Sequence, residues 1–207
     1  MTTIEVKPLV RIVDDDDGVR ASTAFLLEAA GFEVCPYESA RAFLEQDDTE
    51  RPGCVLLDAR MPGMTGLELQ DALCERGCKL PVVFVTGHGD VDMAVYVLKQ
   101  GAADFLQKPV DSARMLEVVR GAVARSLSLY EAQAASRKEL EAYESLTDRE
   151  KDVVKLVAEG LQNKEIAARL DIAEKTVKVH RGSACRKLAV RNGVDIAALL
   201  RRIGISR

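Results

Sequence analysis

Three carboxylates, a hydroxyl and an ammonium close short apolar runs in the first half of this sequence. Asp14 and Asp15 follow "LVRIV", Asp58 ends "CVLLD", Thr86 ends "PVVFVT" and Lys108 follows "ADFLQ". Brought to one place, three carboxylates repel one another unless a cation neutralises them. Mg²⁺ is the matching ion, because it takes oxygen ligands, keeps several waters and uses one or two carboxylates together with phosphate oxygens. An aspartate in such a pocket can attack a phosphoryl group and hold it as an acyl phosphate. That transfer asks little of a protein beyond in-line positioning and neutralisation of the equatorial oxygens. Mg²⁺ would take one oxygen, Lys108 another and the Thr86 hydroxyl the third. Asp58 is the candidate nucleophile: it ends the central run, and "ARMPGMTG" after it carries two glycines that let backbone approach a ligand closely.

What must position these groups is a sheet. The runs 9–13, 33–37, 54–58, 81–86 and 103–107 read as strands, several of them buried on both faces. Between them, apolar residues recur three or four apart: Val19, Thr23, Leu26, Leu27 and Ala30; Leu67, Leu69, Ala72 and Leu73; Val91, Ala94, Val95 and Leu98. Gly31, Gly77 and Gly101 stand where helix C-caps fall. Strict alternation of this kind implies an α/β doubly wound domain with five parallel strands. In such a sheet ligands bind beyond the carboxyl ends of the strands, where the five polar residues stand. Singly, each has a plainer reading: a strand-end Asp as a helix cap, Thr86 as a turn residue, Lys108 before Pro109 as a surface loop. Their joint spacing carries the functional one.

The 207 residues leave room for one large domain or two small ones, and at 47% hydrophobic and 30% charged they hold enough apolar material for real cores. No apolar run approaches the roughly 20 residues of a membrane span, so no membrane partner is expected. "MTTIEVKP" lacks the basic start and apolar stretch of a signal peptide. Cys35, Cys54, Cys74, Cys78 and Cys185 form an odd set with no framework spacing, and no histidine accompanies Cys74 and Cys78; they read as reduced thiols and the chain as cytoplasmic. Charge divides unevenly. From Leu146 onward 14 Lys and Arg face 8 Asp and Glu, whereas the preceding residues carry 15 against 25. An acidic front and a basic back have different partners, and the basic part invites a polyanion.

The stretch 126–145 has no Gly or Pro, many good helix formers and a thin apolar stripe of Leu127, Tyr130, Ala134, Leu140 and Tyr143. It reads as a spacer that extends the preceding helix. From Leu146 all is helical. "LTDRE" is a capping box of Thr147 and Glu150; Gly160 stops that helix, Asn163 starts the next, and "AEKTVKVHRGSACRKL" and "NGVDIAALLRRIG" supply two more. In the third, Val177, Ala184 and Leu188 share an inward face, while Lys175, Lys178, Val179, Gly182 and Arg186 project outward. A basic outer stripe on a helix that follows a short helix and a tight turn is a helix-turn-helix arrangement.

"IVDDDDGVR", "VLLDARMPGMTGLEL", "VVFVTGHGDVDMAV" and "GAADFLQKPV" resemble the receiver domain of bacterial two-component response regulators across residues 8–125. The resemblance implies a flavodoxin-like fold, Asp58 as phosphoacceptor, and Mg²⁺ held by Asp14, Asp15, Asp58 and the backbone carbonyl of Arg60. It further implies Thr86 as switch hydroxyl, Lys108 as phosphate-binding lysine, Phe105 as the aromatic that changes rotamer, and a cis bond before Pro109. Asp16 and Asp17 are left over and suit the start of the next helix. His88, in "TGHGD", reads as a loop residue.

Residues 143–207 resemble the LuxR-type helix-turn-helix. That likeness makes Asn163–Leu170 the support helix, Ala173–Leu188 the recognition helix and "VDIAALLRRIG" a dimer contact. Lys178 and Val179 match groove-facing positions, with Lys175 beside them, and Thr176, His180, Arg181 and Lys187 stand on the phosphate side. Two departures matter: Ala173 replaces a common Ser cap, and Gly182 replaces a longer groove-facing side chain, at roughly 1 kcal/mol against alanine. The whole chain looks most like the FixJ/NarL-type transcriptional regulators.

The expected organisation is a receiver over residues 1–125, a helical linker over 126–142 and a DNA-binding domain over 143–207. The expected function is a phosphorylation-controlled transcriptional regulator rather than an enzyme. Its partners would be a sensor histidine kinase, promoter DNA, RNA polymerase and, once phosphorylated, a second copy binding half-sites about one helical turn, roughly 34 Å, apart. Two rivals stand beside it. A haloacid-dehalogenase-type phosphatase places a second Asp two residues after its nucleophile, where Arg60 stands here. A constitutive DNA-binding protein would carry the acidic pocket as a relic.

Overall fold

The computed structural model describes residues 6–87 and 91–205. Part of the N-terminal octet, and His88, lie outside them. The chain divides into two compact units that part between Tyr130 and Glu131.

The first unit alternates strand and helix: β1 (Leu9–Val13), α1 (Asp17–Ala29), β2 (Glu33–Tyr37), α2 (Ala40–Gln46), β3 (Gly53–Leu57), α3 (Gly66–Glu75), β4 (Val82–Thr86), α4 (Val91–Lys99), β5 (Asp104–Gln107) and α5 (Ser112–Glu144), whose last turns lie in the second unit. The five strands pair in parallel in the order β2-β1-β3-β4-β5, the doubly wound arrangement read from the sequence. Every residue of β3 and β4 is buried, as a sheet covered on both faces requires. Alternate residues serve opposite cores. Val13, Val55, Leu57 and Phe84 join Phe43, Leu69 and Val97 on one face. Val10, Ile12, Leu56 and Val83 join Leu27, Val119 and Val123 on the other. Each large apolar side chain so buried contributes about 1.5–3 kcal/mol relative to exposure.

Three details depart from the reading of the sequence. α2 appears between β2 and β3, started by Ser39, whose hydroxyl accepts from Ala42 N–H. Arg11, inside the run read as apolar, is wholly buried: its Nε donates to both Asp47 oxygens at 2.8 and 2.9 Å and its Nη2 to the Asp48 carbonyl at 2.7 Å. Tyr37 adds a hydroxyl to the same carboxylate at 2.5 Å, so the end of α2 is tied to the sheet by a satisfied buried ion pair. Finally, α4 is apolar nearly all round and does not bury Val95 and Leu98 of the stripe read, whose first member, Val91, lies outside the described side chains. Val97 is buried with Met93 packed beside it, while Val95 and Leu98 are 44% and 45% exposed.

The second unit holds the end of α5, then α6 (Asp148–Ala158), α7 (Asn163–Leu170), α8 (Glu174–Lys187) and α9 (Gly193–Arg202). The capping box closes as read: Thr147 Oγ1 accepts from Glu150 N–H at 3.3 Å and Glu150 Oε2 from Thr147 N–H at 2.8 Å. Val153, Val154 and Val157 of α6 pack with Ile166, Val177, Ala184, Ile196 and Leu200 in one core. Asp171, in the left-handed conformation (φ 52°, ψ 51°), makes the tight turn between α7 and α8. No helix among the described residues is long and apolar enough to cross a membrane.

Candidate acidic site and basic helical face

The sheet register delivers the acidic residues to one edge. Asp58, one residue past β3, donates its N–H to the Val13 carbonyl at 2.8 Å, which sets it beside Asp14, one residue past β1. Lys108, one residue past β5, donates its N–H to the Thr86 carbonyl at 2.9 Å. The Lys108 ammonium then spans both acids, at 2.6 Å from Asp14 Oδ2 and 2.9 Å from Asp58 Oδ1. Burial works against that charge, but the two carboxylates outweigh it and raise the lysine above its ordinary range. The remaining oxygens are also held: Asp58 Oδ2 accepts from Arg60 N–H at 2.6 Å and Asp14 Oδ1 from Asp16 N–H at 3.0 Å. Asp14, Asp58 and Thr86 are buried. Asp15 is exposed, in the bend that leads from β1 to α1.

The run of four aspartates therefore divides its labour. Asp14 faces the pocket. Asp16 caps α1, accepting from Gly18 and Val19 N–H at 2.8 and 3.0 Å, and those bonds hold its carboxyl below the ordinary range. Asp17 pairs with Arg20. Arg20 is a participant that sequence reasoning missed: its Nη1 donates to the Asp14 carbonyl at 2.6 Å, fixing the turn from which the acids project. Gly66 is a second. Its Cα packs so closely under the pocket that a Cβ there would stand 2.2 Å from the Asp58 carbonyl oxygen. Phe105 is half-buried, paired in register with Phe84 and packed against the α2–α3–α4 core. Lys108–Pro109 is cis.

The donor set suits a hard divalent cation. Two buried carboxylates share a single ammonium, which leaves an excess of negative charge, and Mg²⁺ is commonly held by one or two carboxylates with water and phosphate oxygens completing the shell. Among the described residues no three His, Cys, Asp or Glu side chains cluster as a metal cage, so the buried carboxylate donors are Asp14 and Asp58.

In the second unit α8 presents the expected division. Val177, Ala184 and Leu188 are buried; Lys175, Lys178, Val179, Gly182 and Arg186 are exposed; Thr176, His180 and Arg181 are half-buried. Ala173 takes the cap position without a side-chain bond. Arg181 Nη1 donates to Asn163 Oδ1 at 3.0 Å, bracing α8 against the start of α7. Lys187, expected beside phosphate, directs its ammonium to Glu150 Oε2 at 2.7 Å and to the Ser145 carbonyl at 3.4 Å. Bonds from Lys187 and Ser183, opposed by burial and aided by the Thr147 N–H, hold the Glu150 carboxyl down to about 2.

Comparison with known proteins matches both units. Residues 10–120 match the family described as response regulator receiver domain, and residues 144–200 the bacterial regulatory proteins of the luxR family. The chain is 38% identical over 205 residues to nodulation protein W of Bradyrhizobium diazoefficiens, covering 99% of this chain and 90% of that protein. It is 39% identical over 197 residues to the transcriptional regulatory protein FixJ of Azorhizobium caulinodans, covering 95% and 93%. Among solved structures, that of the response regulator StyR aligns with a TM-score of 0.86 at 41% identity, over 95% of this chain and 99% of that one.

Proposed function

The chain belongs to the transcriptional response regulators that join a receiver domain to a LuxR-type DNA-binding domain, and from that premise we propose that Asp58 is its phosphoacceptor and α8 its recognition helix. Phosphorylation-controlled regulation is the habit of that family. The observation that carries the assignment is the Lys108 ammonium held between Asp14 and Asp58 at the strand ends.

A sensor histidine kinase is the donor in this reading. An Asp58 carboxylate oxygen attacks phosphorus in line, the P–N bond to the kinase's phosphohistidine breaks, and the imidazole nitrogen keeps the electron pair. Asp14, Asp58 and the Arg60 carbonyl would hold Mg²⁺, with exposed Asp15 beside them; when bound, the ion neutralises charge on the transferring phosphoryl oxygens. Lys108 offers its ammonium to a second oxygen and Thr86 its hydroxyl to the third. Phe105 stands on β5 next to α4, where a shift of Thr86 is felt, and that face would carry the change to a second copy. We assign the receiver to residues 1–125, the linker to 126–142 and the DNA-binding domain to 143–207.

In DNA binding, Lys175, Lys178 and Val179 face base edges, and Thr176, His180 and Arg181 the backbone. Dimerisation doubles the phosphate contacts and steepens the salt dependence of binding, by about −0.9 in log–log slope per contact. RNA polymerase is a further partner by analogy with transcriptional regulators.

The deciding experiment is intact-mass spectrometry after incubation with Mg²⁺ and a small acyl-phosphate donor, beside Asp58→Asn. One phosphoryl adduct on the wild type, absent from the variant and absent without Mg²⁺, is expected. No adduct, or an adduct that survives Asp58→Asn, removes Asp58 from the role.

A further inference from the structure

The first turn of α8 carries one exposed acid that the contact set above leaves unused. Glu174 stands in the first turn, and its Oε1 lies 3.4 Å from Lys178 Nζ, one turn along. Both side chains are open to solvent, 48% and 64% exposed. An exposed pair four residues apart adds little to helix stability. A carboxylate at the start of a DNA-binding helix is moreover repelled by the phosphates that Lys175 and its neighbours attract. Its place on a groove-facing helix makes chemical sense if it meets a hydrogen-bond donor on a base.

The N4 amino group of cytosine is the donor a carboxylate accepts from in the major groove. Across the same base pair, guanine O6 and N7 are acceptors that a lysine ammonium fills. A carboxylate and an ammonium held side by side thus form the complement of one G·C edge. Side chains near the start of a recognition helix are the ones that reach base edges, and both residues lie in its first five positions.

Resting on the DNA-binding reading given above, we infer that Glu174 and Lys178 act as one unit that reads a single G·C base pair in each half-site. Glu174 is then a specificity-determining residue, and the Coulomb repulsion it brings lowers affinity for arbitrary sequence.

A first-turn acid also suits the helix dipole, the more so above an uncapped Ala173. The two roles separate by readout. As a dipole partner alone, Glu174 would affect melting temperature and leave base preference untouched.

The test is selection of sites from a randomised duplex pool by the full-length protein, phosphorylated by a small acyl-phosphate donor. Wild type, Glu174→Ala and Lys178→Met are run in parallel, with melting temperature and affinity for random-sequence DNA measured at one salt concentration. The wild type is expected to return half-sites with one fixed G·C position. Glu174→Ala is expected to lose roughly tenfold discrimination there against A·T, with neighbouring positions intact and random-sequence affinity equal or higher. Lys178→Met is expected to lose discrimination at that same position while losing random-sequence affinity. A Glu174→Ala motif identical to the wild type, or losses from the two variants at different positions, overturns the inference and leaves the DNA-binding reading standing. A wild type that binds no DNA overturns both.

Discussion

Lys108 Nζ lies 2.9 Å from Asp58 Oδ1, so the carboxylate proposed to take a phosphoryl group already carries a cation on one oxygen. The same nitrogen reaches Asp14, and removing it leaves two buried acids facing each other. Breaking a buried pair costs 3–5 kcal/mol as a rule, and the Lys108 side chain is 23% exposed, so Lys108→Met should destabilise the first unit by about 1–3 kcal/mol. Asp58→Asn combined with Lys108→Met should recover part of that loss. A double-mutant cycle by urea unfolding should therefore give a coupling of about 1 kcal/mol or more. Because the folded lysine is raised, this contribution is complete below its ordinary 10.5 and disappears only as pH climbs through the higher folded value.

Gly66 tests the pocket from beneath. An alanine Cβ there would meet the Asp58 carbonyl oxygen at 2.2 Å and Ala59 Cα at 3.0 Å, both of them backbone atoms with no rotamer to yield. Gly66→Ala should displace Asp58, slow adduct formation by roughly tenfold or more, and destabilise the first unit by about 1–3 kcal/mol. Unfolding of the second unit should be unchanged. Adduct formation at the wild-type rate, read by a mass-spectrometric time course, would mean that the backbone of Asp58 does not need its present position.

Glu150 gives a pH-dependent expectation. Its carboxyl is held down to about 2 from 4.5, foremost by Lys187. A depressed carboxyl stabilises the fold above its unfolded value and loses that contribution as pH falls toward the folded one. The stability gap between wild type and Glu150→Gln should be widest above pH 4.5, no more than about 3 kcal/mol, and should close as pH is lowered toward 2. Circular-dichroism unfolding of the full chain at stepped pH checks it. A gap independent of pH would assign Glu150 a packing role without its charge.

The acidic site is legible in the sequence because a parallel sheet must bring the carboxyl ends of its strands together. Five apolar runs in order are enough to convene Asp14, Asp58, Thr86 and Lys108. What escapes the sequence is pairing at long range. Asp14 and Asp15 are equivalent as letters, and the turn of the chain buries one and exposes the other. Arg11 looks like an interruption of an apolar run; its partner Asp47 lies 36 residues on, one of 33 acidic residues it could have met. α2 spans only seven residues, too few for a helical period to declare itself. Lys187 stands among basic residues on a helix already read as DNA-facing, and its bond to Glu150 crosses 37 positions. Capping, by contrast, is local, which is why Thr147 and Glu150 could be paired from four letters.

α8 and the turn just past it carry glycine and alanine in each other's places. Gly182 lies mid-helix, where glycine costs roughly 0.5–1 kcal/mol against alanine, and a Cβ there would meet no atom within 4 Å. Ala189, just past the C-cap Leu188, takes φ 54°, a left-handed position where glycine is favoured and a Cβ costs about 1–2 kcal/mol. The greater freedom of an unfolded glycine returns about 0.4–1 kcal/mol of that second gain. Gly182→Ala and Ala189→Gly should each stabilise the second unit by about 0.5–1 kcal/mol. Two turns of helix separate the sites, so the effects should add. For a unit of this size each kcal/mol moves the midpoint by about 4–8 °C, and calorimetry of the double variant should place the second unit's transition roughly 4–16 °C higher. Gly182 also faces outward, so the same change sets a methyl group on the face proposed to meet the groove. If stability rises while selected DNA sites stay the same, the glycine is a tolerated defect of the helix; if stability rises and binding falls, the bare backbone at 182 is part of how α8 seats in the groove.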